Sequence, residues 1–209
     1  LTLGHEFAGE IVEVGADVTN VKVGDRVTVE PILAKDGLKG KYNLDKNLGF
    51  VGLAADGGFT SYCVVDGELC HKLPDSIDYE QGALTEPAAV ALYAVRQSKL
   101  KAGDTAAVFG CGPIGLLTIE ALRAAGATTI YAVELSPERQ AKARELGAVV
   151  IDPSKVNVVE HIKAETDGGV NVSFEVTGVA PVLKQAIEAV ENDGECVIVS
   201  IWENEASIH

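Results

Sequence analysis

The 209-residue sequence has no CxxC pair, no long apolar run, no basic excess, no internal repeat and no low-complexity tract. Each absence narrows what the chain can be. The four cysteines, Cys63, Cys70, Cys111 and Cys196, stand apart in sequence, which argues against both a disulfide framework and a zinc knuckle and predicts four free thiols. Nothing approaches the roughly 18 consecutive apolar residues of a membrane span. No basic start followed by a short apolar stretch marks a secretory signal, so a cytoplasmic protein is expected. Lys plus Arg total 17 against 31 Asp plus Glu, a net charge of −14, which repels phosphate backbones and anionic lipid. Nucleic acid and membrane surfaces are therefore not expected partners.

What is present is an ordinary globular balance, 47% hydrophobic and 23% charged, able to bury a core without disulfides. The first residue is Leu, and Leu1-Thr2-Leu3-Gly4 enters a motif with no lead-in. At the other end Val197 to Ile201 reads as a buried strand with nothing after it to cover it. Both ends are expected to continue in a longer protein.

Residues 1 to about 75 are rich in Gly, Val and Asp, with strand-like runs over Gly9–Val14 and Asp25–Val29 separated by turn residues, the pattern of an all-β segment. Residues 30 to 58, with six glycines and little periodicity, read as a loop excursion. Asp78 to Ser98 is helical, with a break expected at Pro87, which suits the first position of a new helix. Glu86 would then sit at or beside an N-cap, ionised by the helix terminus and presented at an element end.

After Gly103 apolar strands alternate with amphipathic helices. Strands are expected at Thr105–Phe109, Thr129–Val133, Val149–Ile151, Val170–Glu175 and Glu195–Ser200, with helices near Ile114–Ala125, Pro137–Leu146, Val156–Thr166 and Pro181–Val190. Such a βαβαβαβαβ order predicts a parallel sheet covered on both faces. Gly110-Cys111-Gly112-Pro113-Ile114-Gly115 fits GxGxxG between the first of these strands and its helix, and Glu134 ends the next strand 19 residues past Gly115. In that setting the glycines allow the tight turn and the close approach of a pyrophosphate, the helix N-terminus faces its charge, and Glu134 accepts from the adenosine ribose hydroxyls. The reading is a Rossmann-type dinucleotide-binding domain with Gly110, Gly112, Pro113, Ile114, Gly115 and Glu134 at the cofactor. Thr177, Val199 and Ser200, near the ends of later strands, are also assigned to it. Arg139 either covers the adenine face or is a solvated helix arginine, and Cys111 reads as a small loop residue rather than a nucleophile.

A second cluster joins Gly4-His5-Glu6-Phe7-Ala8-Gly9-Glu10 to Glu86. One imidazole and several carboxylates are suitable zinc ligands, but spacing alone is weak, because a lone His and Glu in a β-rich domain are usually surface or satisfied core residues. A catalytic zinc needs three protein ligands and an open position.

Gly4-His5-Glu6-x-x-Gly9, Val21-x-x-Gly24-Asp25-Arg26-Val27, Gly57-Gly58-Phe59, Glu86-Pro87 and Gly110-x-Gly112-Pro113-Ile114-Gly115 resemble the successive signatures of zinc-dependent medium-chain alcohol dehydrogenases, over nearly the whole chain. The stretches Glu80–Val90 and Phe174–Gly178 look most like the butanediol (acetoin) and sorbitol dehydrogenase branch. The resemblance implies a GroES-like all-β catalytic domain, incomplete, over residues 1–96 and a NAD-binding Rossmann domain over 97–209, with the active site in the cleft between them. It matches His5 to a catalytic zinc ligand, Glu6 to a neighbouring ligand or an acid behind one, and Glu86 to the carboxylate that binds the metal or its water. A further family ligand, a cysteine some thirty residues before the Gly-His-Glu motif, would precede Leu1, and the proton-relay hydroxyl with it. Many relatives carry a four-cysteine structural zinc lobe where this chain reads Glu30–Lys39 without cysteine, so one catalytic zinc and no structural zinc are expected. The implied activity is hydride transfer between NAD and a secondary alcohol or its ketone, 2,3-butanediol and acetoin first, by a homodimer or homotetramer. A polyol or L-threonine-type dehydrogenase, a zinc-free reductase and a non-catalytic NAD-binding regulator or structural protein remain open.

Overall fold

A computed structural model describes residues 1–34, 41–203 and 205–208, in two compact units, Leu1–Pro87 and Ala88–His209. The first unit carries short strands β1 (Ala8–Glu10), β2 (Arg26–Val29), β3 (Ile32–Leu33), β4 (Gly49–Phe50) and β5 (Cys70–Lys72). β2 lies between β1 and β5 in an antiparallel sheet, with Gly9 opposite Val27 and Thr28 opposite His71. Because side chains alternate along a strand, Val27 and Val29 share a face, and they form the core with Val21 and Cys70 under Phe7, Ile11 and Val18. The strand expected over Gly9–Val14 ends at Glu10. Beyond it Ile11 N–H donates to Asp25 O (2.9 Å) and Gly24 N–H to Ile11 O (2.8 Å). The stretch read as loop contains the β3–β4 pair, Ile32 opposite Phe50. Of the lobe expected to be metal-free, residues 30 to 58, positions 35–40 lie outside the described residues.

Helix α1 (Tyr79–Ala83) starts at a capping box: the Asp78 carboxylate accepts from Gln81 N–H at 2.7 Å and the Gln81 side chain accepts from Asp78 N–H at 3.1 Å. Arg26 ties β2 to this helix, its guanidinium 4.8 Å from the Tyr79 ring centroid and donating to Ile77 O. The break expected at Pro87 falls instead at Leu84, and α2 runs Thr85–Gln97. Proline is accommodated in the first turn because an N–H there has no intrahelical acceptor. Glu86 is thus a first-turn residue rather than a cap.

The second unit contains β6 (Thr105–Phe109), β7 (Thr129–Val133), β8 (Val149–Ile151), β9 (Val170–Glu175) and β10 (Val190–Ile198), connected by α3 (Pro113–Ala124), α4 (Pro137–Glu145), α5 (Val158–Thr166) and α6 (Ala180–Glu188). The five strands form a parallel sheet in the order β10-β9-β6-β7-β8. Alternation sends Ala106 and Val108 to one face, against Ile119, Leu122 and Ala143, and Ala107 and Phe109 to the other, against Ile162 and Ala186. Burial on both faces explains why these strands are continuously apolar. β10 differs from expectation at both ends. It starts at Val190, with a register irregularity before Glu195, and Val199 and Ser200 follow its end. The turn-forming run Asn192-Asp193-Gly194 hides that start from sequence reasoning.

Strand order reverses between β6 and β9, and in open α/β sheets a ligand crevice opens beyond the carboxyl ends of the strands at such a point. No helix among the described residues is long and apolar enough to cross a membrane. Phe174, fully buried in β9, is the largest aromatic in the α3-side core, and Phe174→Ala in the complete protein should cost about 3–5 kcal/mol by urea unfolding. A loss under about 1 kcal/mol would contradict this packing.

Candidate functional site

His5, Glu6 and Glu86 each offer one ligand atom, and these atoms all lie within 4.8 Å of one another. His5 and Glu86 are half-buried and Glu6 is exposed. Zinc bonds of 2.0–2.2 Å at tetrahedral angles separate ligand atoms by roughly 3.4 Å, so small side-chain rotations would close the set. One imidazole and two carboxylates are a nitrogen and oxygen donor set that zinc accepts, and they fit a metal here. Burial, the largest influence, pushes the Glu86 carboxyl upward; His5 opposes this and Glu6 adds to it.

The backbone around His5 is held by a segment more than fifty residues away. Gly57 N–H donates to Thr2 O (2.8 Å), Phe59 N–H to Leu3 O (2.9 Å) and Gly58 N–H to Gly4 O (2.8 Å). A Cβ on Gly57 would stand 2.1 Å from Gly4 O, and one on Gly52 would stand 2.3 Å from it. Only glycine permits that approach. The Phe50 ring meets the His5 imidazole edge-on at 6.0 Å between centroids, limiting its rotation. Gly57-Gly58-Phe59 entered the sequence reading as a signature, but Gly52 and Phe50 did not, since no local pattern links them to His5.

At the switch point, Gly115 packs so tightly that a Cβ there would lie 1.9 Å from Gly110 O, while nothing lies within 4 Å of the place a Cβ would take on Gly112. The loop thus closes on itself at Gly115 and stays open at Gly112, where α3 begins with Pro113 and Ile114 and its first amides are free for an anion. That open backbone fits a dinucleotide pyrophosphate. Glu134, buried just past β7, accepts from Cys111 N–H (2.8 Å), Leu135 N–H (2.8 Å) and Ser136 N–H (2.9 Å). A carboxylate has about four acceptor sites, so one remains for a hydroxyl. The amide contacts were not foreseen: the same acid also anchors the glycine loop. Arg139 is exposed with its guanidinium 4.0 Å from Glu134.

Thr177 stands against the loop, its Cγ2 2.6 Å from where a Gly110 Cβ would be. Val199 and Ser200 donate their N–H groups to Glu175 O at 2.9 and 3.3 Å. Glu175 itself, wholly buried, was quoted in sequence only as part of a motif. All four cysteines are free. Burial, with a smaller contribution from Glu134, pushes the Cys111 thiol up to about 12, which disqualifies it as a nucleophile near neutral pH. His71 bonds the Glu30 carboxylate at 3.0 Å.

Comparison with known proteins agrees with this geometry. The family model described as alcohol dehydrogenase GroES-like domain matches residues 1–75, and that of zinc-binding dehydrogenase matches residues 113–209. The chain is 68% identical to (R,R)-butanediol dehydrogenase of Bacillus subtilis (strain 168), over 100% of its own length and 61% of that protein's. It superposes on the crystal structure of 2R,3R-butanediol dehydrogenase from Bacillus subtilis with a TM-score of 0.94, covering 99% of this chain and 60% of that one. A chain from Sinorhizobium meliloti 1021, assigned as a zinc-binding dehydrogenase and bound to NADP, matches at 36% identity and a TM-score of 0.95, over 100% and 64% of the two chains. The chain thus spans about three fifths of the length of the relatives it matches. Two successive signature domains, a parallel sheet with its glycine loop and a His-Glu-Glu cluster at the Gly-His-Glu motif together make the chain a member of the zinc-dependent medium-chain alcohol dehydrogenase family.

Proposed function

We propose that the complete protein is a zinc-dependent oxidoreductase that transfers hydride between a secondary alcohol, 2,3-butanediol and its ketone acetoin first, and NAD. The observation that carries this reading is the convergence of His5, Glu6 and Glu86 within 4.8 Å, about eighty residues apart in sequence. The substrate is supported by the 68% identity to a butanediol dehydrogenase. When bound, zinc supplies the Lewis acidity that lowers an alcohol's pKa, and NAD supplies the hydride acceptor. His5 and a carboxylate of Glu6 or Glu86 hold the metal, and Phe50 keeps the imidazole oriented. The open backbone at Gly112 takes the pyrophosphate and Glu134 the ribose hydroxyls. A single zinc per chain accords with the absence of cysteine between Glu30 and Lys39. A cytoplasmic homodimer or homotetramer, with residues 1–96 as catalytic domain and 97–209 as cofactor domain, completes the reading.

Turnover of a panel of secondary alcohols by the complete protein with NAD tests the activity, and no alcohol-dependent NADH production would end it. His5→Ala should lower turnover by more than about a hundredfold while leaving NADH binding near wild type, because the metal contacts the alcohol and not the adenine half. Glu86→Ala should lower zinc affinity or turnover by about 10–100-fold, as expected of a ligand acting directly or through water. Loss of NADH binding in His5→Ala would contradict this division of labour.

NAD should be preferred to NADP. A 2′-phosphate against Glu134 meets a like charge at a cost on the order of 1 kcal/mol or more. A neighbour of the same fold binds NADP, so the preference is local and testable: Glu134→Gln should narrow the ratio of kcat/KM for the two cofactors. Equal turnover of both by the wild type would refute it.

A further inference from the structure

Glu175 ends β9 and is fully buried. One carboxylate oxygen accepts from Thr177 N–H (2.7 Å), from the Thr177 hydroxyl and from Gly178 N–H (3.1 Å); the other accepts from the Ser200 hydroxyl and, at 3.3 Å, from Gly178 N–H again. These are neutral donors from two loops at one end of the sheet. A carboxyl wholly inside a sheet is costly compared with an apolar residue of the same size. What it accomplishes is geometric. Through Thr177 and Gly178 it fixes the turn after β9, and through Ser200 the chain after β10. The methyl of Thr177 in turn fills the space beside Gly110, in the loop after β6. Three strand ends at the switch point are thereby held in one arrangement.

The crevice runs across these ends. Glu134 stands on its β7 side, where the adenosine ribose belongs. The side formed by the ends of β9 and β10 is left for the other half of the dinucleotide. We propose that Glu175 is a positioning residue for the nicotinamide half of the cofactor, acting through Thr177 and Ser200. The inference rests on the NAD reading above.

The test compares two ligands of the complete protein. NADH spans both halves of the crevice, and 5′-AMP occupies the adenosine side alone. Glu175→Gln keeps size but replaces one acceptor oxygen by an amide that faces donors, so the NADH Kd, read by nicotinamide fluorescence, should rise about tenfold. The AMP Kd should stay within about twofold. Equal weakening of both ligands would mean a structural role only, and no change in either would mean no role; both overturn the proposal. If Glu175→Gln does not fold, Ser200→Ala, which removes one donor and leaves the core intact, decides the matter: a rise of about threefold for NADH alone supports the proposal, and an unchanged NADH Kd overturns it. Wild-type protein that binds AMP but not NADH would refute the cofactor reading itself, an outcome distinct from a normal wild type with an unaffected variant.

Discussion

Both candidate sites depend on backbone passing so close to backbone that no side chain fits between. In the first unit, the Gly57 and Gly52 positions lie against Gly4 O, at 2.1 and 2.3 Å from the points a Cβ would take. In the second, the point a Cβ would take on Gly115 lies 1.9 Å from Gly110 O. The first contact fixes the segment before β1 on which His5 and Glu6 stand. The second shapes the turn between β6 and α3. Neither contact buries much apolar surface, and their effect is to remove freedom from short segments that would otherwise wander as loops. Side chains with chemical work then find their partners already in place.

Around each contact the polar groups serve two purposes. Glu134 offers an acceptor site toward the crevice while taking three amides, one of them from the glycine loop. Glu175 binds two turns and exposes nothing. The His5 cluster places two carboxylates near one imidazole, an arrangement whose like charges favour occupation by a cation. In each case burial of a charged or polar group is offset by donors or by the ligand it awaits.

The α/β half was legible to the residue in four of its five strands, because a strand buried on both faces is a continuous apolar run between glycine-rich turns and leaves little ambiguity. The exception, β10, begins in an acidic turn-like stretch whose pairing with Val170 is tertiary in origin. The β half was less readable. Its strands are two to four residues long, too short for alternation to define their ends, and Gly9–Val14 was accordingly read too long. The helix break went to Pro87 when Asp78 and Leu84 set it, since proline is as acceptable in a first turn as at its start. Of the site, the residues on motifs were found. Phe50 and Gly52 carry no local signal, and Glu175, although it lies in a motif, reveals its bonds to Thr177, Gly178 and Ser200 only when the chain is folded.

The central claim is that the Gly57 contact with Gly4 holds His5 where a metal can be bound. Zinc content of Gly57→Ala, measured by elemental analysis on the complete protein with NADH titration as the check on folding, tests it directly. The added Cβ must displace the Gly4 carbonyl, so the variant should retain well under half of the wild-type zinc at unchanged NADH affinity, since loss of a contact that orients a metal ligand typically weakens binding by about 10–100-fold. A variant with a full complement of zinc and wild-type turnover would contradict the account.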